Sequence, residues 1–206
     1  MAQHPESYIS VLTNGRTLAD IDFVERIAEI VTPNVIFCVS LHGDNPRLHD
    51  VIVNKTGSFE KTETGIYNLA RKSVRIEIRH VITKMNYKRL PQMARHIYNY
   101  MPFCNHYAFI AMELHGEAVK NADCIMVNPA QYKSELADAA LLLERAYLPV
   151  SLYNIPLCMA DKRVRHLARQ SISTWKNTFP QECVECSQKS ECSGFLPLQK
   201  GYQWKI

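Results

Sequence analysis

The 206 residues suffice for one domain with a sizeable core, and with 47% hydrophobic and 21% charged residues the composition is that of ordinary globular protein. The net charge of +4 is spread over 24 basic and 20 acidic residues, with no basic run beyond a pair or triplet, so nucleic-acid binding has no support. No apolar stretch nears the roughly 18 residues of a membrane span, and MAQHPESY shows no export signal, which points to the cytoplasm.

Strand and helix alternate along the chain. YISVLTNG (8–15) reads as a strand ending in a turn at Asn14-Gly15. A helix over 20–31 follows, with Ile21, Val24, Ile27, Ala28 and Val31 on one face, Asp20 as N-cap and Pro33 as stop. NVIFCVSL (34–41) is a near-continuous apolar run, which suits a parallel strand buried on both faces. A loop, HGDNPRLHDVIVNKTG, leads to a helix over 59–71, with Ser58 as its cap and Glu60 at the positive end of its dipole. VRIEIRHVI (74–82) is the third strand. The helix over 89–100 turns Leu90, Met93, Ala94 and Ile97 inward, with Pro91 in its first turn. NHYAFIAMEL (105–114) is the fourth strand, and a helix over 130–146 carries Leu136, Ala139, Ala140 and Leu143. PVSLYNI (149–155) is the fifth strand, and a last helix, 162–177, precedes a cysteine-rich tail. This order predicts an α/β fold with a parallel sheet.

The third strand is unusual, because Arg75, Glu77 and Arg79 alternate with Val74, Ile76 and Ile78. Helices on both faces of a sheet would leave those charges costly to bury. Either a barrel-like lumen holds them beside a ligand, or one face of the sheet is solvated. Parallel α/β folds bind ligands at the carboxyl ends of their strands. The residues expected there are polar: Asn14, Ser40, His42, Arg79, Glu113 and Asn154.

Among seven cysteines without an export signal, the clustered ones read as metal or cluster ligands rather than disulfides. The sharpest pattern is Cys183-x2-Cys186-x5-Cys192, with Gly194 free to wrap the backbone close to the site. Cys158, just after the fifth strand, is the candidate fourth ligand. Four thiolates suit zinc or an iron–sulfur cluster. Cys38, Cys104 and Cys124 read as plain apolar or surface cysteines.

Six segments together resemble the His-Xaa-Ser system radical SAM maturase family HxsC: ISVLTNG, VSLHGDNPRLHD, GSFEKTETGIYNLAR, VRIEIRHVITKMNYKRLPQMARHIY, SISTWKN and ECVECSQKSECSGF. The resemblance runs from about residue 8 to 195. The CxxCx5CxGF ending is similar to the auxiliary-cluster tails of SPASM-type and twitch-type radical SAM enzymes, which favours a [4Fe–4S] cluster over zinc. The resemblance implies an incomplete (β/α) partial barrel over 1–157, lacking its first strands. A helix plus an auxiliary-cluster segment would occupy 158–206. It also implies S-adenosylmethionine (SAM) bound on a [4Fe–4S] cluster, its reductive cleavage to a 5′-deoxyadenosyl radical, and hydrogen abstraction from a peptide or protein substrate. Ser40 and Arg79 stand where such folds contact SAM, with Asn14 and Glu113 on the same rim. Arg79 is placed to fork onto the SAM carboxylate. The CxxxCxxC motif and the Gly-Gly-Glu stretch of the family are absent from these residues. The expectation is therefore a start inside a split or trimmed gene, with a separate N-terminal half or a second radical SAM maturase as partner, and no radical chemistry from this chain alone. The competing expectation is a non-catalytic peptide-binding module holding a cluster or zinc.

Overall fold

The computed structural model describes residues 6–170 and 177–196. Along them run β1 (Ile9–Thr13), α1 (Ile21–Ile30), β2 (Val35–Ser40), α2 (Pro46–Ile52), α3 (Ser58–Arg71), β3 (Arg75–Ile82), α4 (Leu90–Tyr100) and β4 (His106–Ala111). Two short helices follow, α5 (Glu117–Lys120) and α6 (Ala122–Ile125), then α7 (Lys133–Arg145), β5 (Val150–Tyr153) and β6 (Ala168–Arg169). The strands form one six-stranded sheet in the order β1-β2-β3-β4-β5-β6, and every pairing is parallel. Strand order equal to chain order means that each crossover advances the same way. That is the winding of an α/β barrel, without the reversal that marks a doubly wound sheet. The fold is a partial barrel.

The two faces of the sheet differ. On one, Val35, Phe37, Val39, Ile76, Ile78, Tyr107, Phe109, Val150 and Leu152 are buried in a single core cluster. The helices pack here through the expected residues: Val24 of α1, Leu90, Met93, Ala94 and Ile97 of α4, and Leu136, Ala139, Ala140 and Leu143 of α7. Gly65 of α3 makes the helix layer close-fitting. A Cβ there would lie 2.4 Å from the Gly15 carbonyl oxygen and 2.8 Å from the Leu18 Cβ, so only glycine admits this approach. On the other face, strand register sets Cys38 beside Glu77 and Glu77 beside His106, and Ser40 beside Arg79. This is the polar, lumen-like face.

Several expectations need correction. The segment read as a loop after β2 contains α2. Asn45 Oδ1 accepts from Leu48 N at 3.0 Å and Pro46 occupies the first turn, so Asn-Pro here opens a helix instead of a turn. Ser58 does not cap α3. The Asp50 carboxylate accepts from Gly57 N at 2.6 Å and Phe59 N at 2.8 Å in its place. The helix expected over 162–177 is a 3-10 run, Lys162–Leu167, that Asp161 caps and that gives way to β6; residues 171–176 lie outside the described residues. Arg79 sits within β3, not past its end.

Candidate functional site

The lumen-like face gathers a connected polar chain. Arg79 Nε donates to Glu77 Oε1 at 2.5 Å. The other carboxylate oxygen of Glu77 meets His106 Nδ1 at 2.9 Å, and His106 Nε2 meets Ser151 Oγ at 3.0 Å. The consistent arrangement has Nδ1–H donating to Glu77 and Nε2 accepting the Ser151 hydroxyl proton. Glu77 is only 8% exposed. Burial pushes its carboxyl up, but hydrogen bonds from His106 and Arg79 outweigh that and hold it at about 2. It is a carboxylate across the neutral range. Cys38 lies against it. Burial and the neighbouring Glu77 charge both raise the Cys38 thiol, which stays protonated.

Arg75 is not part of this chain. It is exposed at the start of β3 and its Nη1 donates to the Pro33 carbonyl at 3.2 Å. Sequence reasoning missed His106 and Ser151, the first and second residues of strands whose partners only the register reveals. The alternation of β3 was the one available signal.

The other rim residues spread along the carboxyl ends of the strands. Ser40 ends β2 in register with Arg79. Asn14 follows β1; its Oδ1 accepts from Arg16 N at 3.1 Å, and its carbonyl accepts from Thr62 Oγ1 at 2.9 Å. Glu113 lies two residues past β4 and is half-buried. Asn154 donates to the Ala111 carbonyl at 3.3 Å. The structure thus brings Ser40 and Arg79 together, with Asn14 and Glu113 just past the ends of the strands flanking them. His42 turns away from this rim. Its Nδ1 is sealed from solvent, its ring lies 5.8 Å from that of His49, and burial lowers its pKa to about 3. His80 is likewise buried, its Nδ1 2.8 Å from the Leu41 carbonyl, with its pKa lowered to about 4.

The second cluster is the cysteine segment. Cys158, Cys183, Cys186 and Cys192 line one small cavity of about 40 Å³, with Phe179 and Phe195 as its apolar walls. An antiparallel bridge between Thr178 and Phe195, with N–H···O distances of 2.9 and 2.7 Å, closes the base of the loop that carries three of them. Gly194 takes a left-handed φ of 63°, and a Cβ there would lie 2.8 Å from the Thr178 oxygen. That turn aims Gly194 N at Cys192 Sγ, which also accepts from Leu157 N, both at 3.3 Å. Cys192 is buried, Cys183 half-buried, and Cys158 and Cys186 are exposed.

Four thiols at one cavity are the donor type that zinc or an iron–sulfur cluster takes. Amide N–H groups directed at a sulfur stabilise a thiolate and tune a bound cluster. Burial and the three other cysteines raise the Cys183 thiol, so a cation placed beside it would favour its thiolate. Lys189 adds positive charge, its ammonium 5.4 Å from the Phe179 ring centre. Among the described residues no three His, Cys, Asp or Glu side chains stand at the spacing that grips a single metal ion. Nor, among them, is any helix long and apolar enough to cross a membrane.

No protein-family model matches the chain, and no curated protein matches it. Solved structures do. A radical SAM methyltransferase from Sphaerobacter thermophilus superposes with a TM-score of 0.51 at 16% identity, over 72% of this chain and 43% of that one. The native anSMEcpe, solved with bound AdoMet and a Kp18Cys peptide, superposes with a TM-score of 0.52 at 16% identity, over 70% of this chain and 40% of its own. The chain therefore has a radical SAM-like α/β fold, and spans about two fifths of the length of these structures.

Proposed function

We propose that these residues form the later part of a radical SAM enzyme that modifies a ribosomally made peptide or protein of His-Xaa-Ser type. In this reading residues 1–157 are the later part of the barrel and 158–206 an auxiliary-cluster segment. The observation that carries it is the meeting of four cysteines at one cavity directly behind a partial barrel of this fold. Cys158, Cys183, Cys186 and Cys192 would hold a [4Fe–4S] cluster, which when bound supplies an electron-transfer or substrate-anchoring centre. Two backbone N–H groups already point at the sulfur of Cys192.

On the sheet, Ser40 and Arg79 would face SAM, with Asn14 and Glu113 completing the rim. Glu77 holds Arg79 by its Nε, so the outer edge of the guanidinium remains for a carboxylate. His106 and Ser151 fix Glu77 from the other side and keep the arginine in place. A peptide substrate would lie across the same polar face. The motif CxxxCxxC is absent from the 206 residues, so the SAM-binding cluster would come from sequence outside them, on the same polypeptide or on a partner maturase. A four-thiolate set also suits zinc, the ligand of the alternative, non-catalytic peptide-binding module.

The test is SAM cleavage. Given SAM and dithionite without oxygen, the 206-residue chain alone should form no 5′-deoxyadenosine above background. Supplied with a fragment that carries CxxxCxxC and the preceding strands, it should. Robust turnover by the chain alone, or none by the pair, would overturn the proposal.

A further inference from the structure

We infer that the groove along β4, β5 and β6 on the lumen-like face binds an acidic side chain of the peptide substrate. This contact presupposes the peptide reading proposed above and does not depend on iron or SAM.

The groove measures about 570 Å³, and strand register builds it. His106 opens β4 and meets Ser151 of β5. Tyr153 follows Ser151 by two residues, so its side chain leaves the same face of the strand, and Arg169 of β6 is its register partner. Leu148 and Leu167 give the groove apolar walls. In such a groove the few polar groups decide which ligand fits.

Charge selects an anion. Among the described residues lining the groove, Arg169 is the one lysine or arginine, and it forms no ion pair with any described residue. Its Nη1 donates to the His166 and Ala168 carbonyls at 2.8 and 3.0 Å, which holds the guanidinium in place. Nε and Nη2 have no partner among the described residues. The carboxylates nearby are already taken: Glu77 by Arg79 and His106, and Glu144 by His166 Nε2 at 2.5 Å. Burial above all raises the Tyr153 hydroxyl, which stays neutral and adds no charge. A single guanidinium, anchored on one side and open on the other, presents the planar pair of donors that a carboxylate matches. A phosphate dianion would meet only half the charge it carries.

Tyr147 commits the groove to a chain instead of a small acid. It lines the groove just past the end of α7, with a left-handed φ of 58°. Glycine is the usual residue at such a helix end, because a side chain there is strained. The Tyr147 ring is also 94% exposed. Backbone strain and an aromatic ring left in water are both unfavourable in the free protein. A peptide continuing beyond its carboxylate would cover the ring, and a small acid held by Arg169 would not.

Titration of the 206-residue chain with the acetylated and amidated peptide Gly-Leu-Glu-Leu-Gly, followed by NMR chemical shift, tests this directly. Saturable binding is expected, and the same peptide with Gln in place of Glu should bind about tenfold more weakly, the scale of one lost hydrogen bond to a charged group. Arg169→Gln should remove that preference, and Arg169→Lys should keep part of it. Tyr147→Gly should raise the melting temperature by about 2 °C, by relieving the left-handed strain, while weakening the Glu peptide about fivefold. A purely structural residue would not move stability and affinity in opposite directions. Because neither iron nor SAM is needed, the outcome is independent of the 5′-deoxyadenosine assay. No saturable binding, equal affinity for the two peptides, or a preference that survives Arg169→Gln would overturn the proposal. So would tighter binding of the Gln peptide once its carboxyl terminus is left free, which would make a chain end the occupant.

Discussion

The sheet face and the cysteine segment both gather polar side chains, and they do so in opposite ways. On the sheet, the register of β3, β4 and β5 closes a chain from Arg79 through Glu77 and His106 to Ser151, in which both carboxylate oxygens and both ring nitrogens have partners. In the tail, four thiols line one cavity, and burial with the neighbouring cysteines raises the Cys158 and Cys183 thiols. A network satisfied by its own members belongs to the fold. A set of like donors waits for a guest, and the guest's binding energy becomes part of the segment's stability. The two regions should therefore respond differently to acid, to substitution and to metal.

Acid should produce the largest response, and it should come from the barrel rather than the tail, through two histidines outside the polar chain. His42, half-buried with its Nδ1 sealed, and buried His80 stay neutral, with pKa values lowered to about 3 and about 4 from an ordinary 6.5. The unfolded chain binds these protons first as pH falls. Stability is thus full above pH 6.5 and drops between pH 6.5 and 4, by up to about 1.4 kcal/mol per unit for each histidine. Glu77, held at about 2 against an ordinary 4.5, adds its own loss only below pH 4.5. Urea melts of the iron-free protein across this range would show the decline. A stability constant down to pH 4 would mean that the histidine pocket is open to water.

Substitution sharpens the contrast next. Glu77→Ala leaves Arg79 and His106 facing each other without their carboxylate and should cost about 3 kcal/mol, the lower end for a broken buried pair because Arg79 is partly exposed. Ser151→Ala removes one neutral hydrogen bond and should cost about 1 kcal/mol. Cys183→Ala in iron-free protein should stay within about 0.5 kcal/mol of the parent. Equal losses from Glu77→Ala and Cys183→Ala in denaturant melts would erase the distinction between the regions.

The smallest effect concerns β1, which among the described residues pairs only with β2 and exposes Tyr8 and Leu12 at 82% and 67%. An unpaired apolar edge is a template for another chain. Size-exclusion chromatography should show self-association, relieved by co-expression with a fragment supplying the preceding strands. A stable monomer of 23.7 kDa without a partner would show that the edge is protected.

How far the sequence reaches follows the same division. Period 3.6 in α4 and α7 and the apolar run of β2 located the core, because burial of one helix face or of a whole strand is written locally. Asn45-Pro46 misled because a cap followed by proline and a turn share the same residues. Ser58 misled because its competitor, Asp50, lies eight residues away on α2 and reaches the start of α3. His106 and Ser151 were invisible because their importance rests on register across three strands. The cysteines were legible as a spacing, and their shared cavity depended on Cys158, which no local pattern joins to the other three.

The central claim is that those four cysteines form one cluster site, and iron counting tests it most directly. After anaerobic reconstitution the chain should hold about four irons and four sulfides, and Cys158→Ala should lose the intact cluster along with Cys183→Ala and Cys186→Ala. Stoichiometric zinc with no iron, or a full cluster retained by Cys158→Ala, would contradict it.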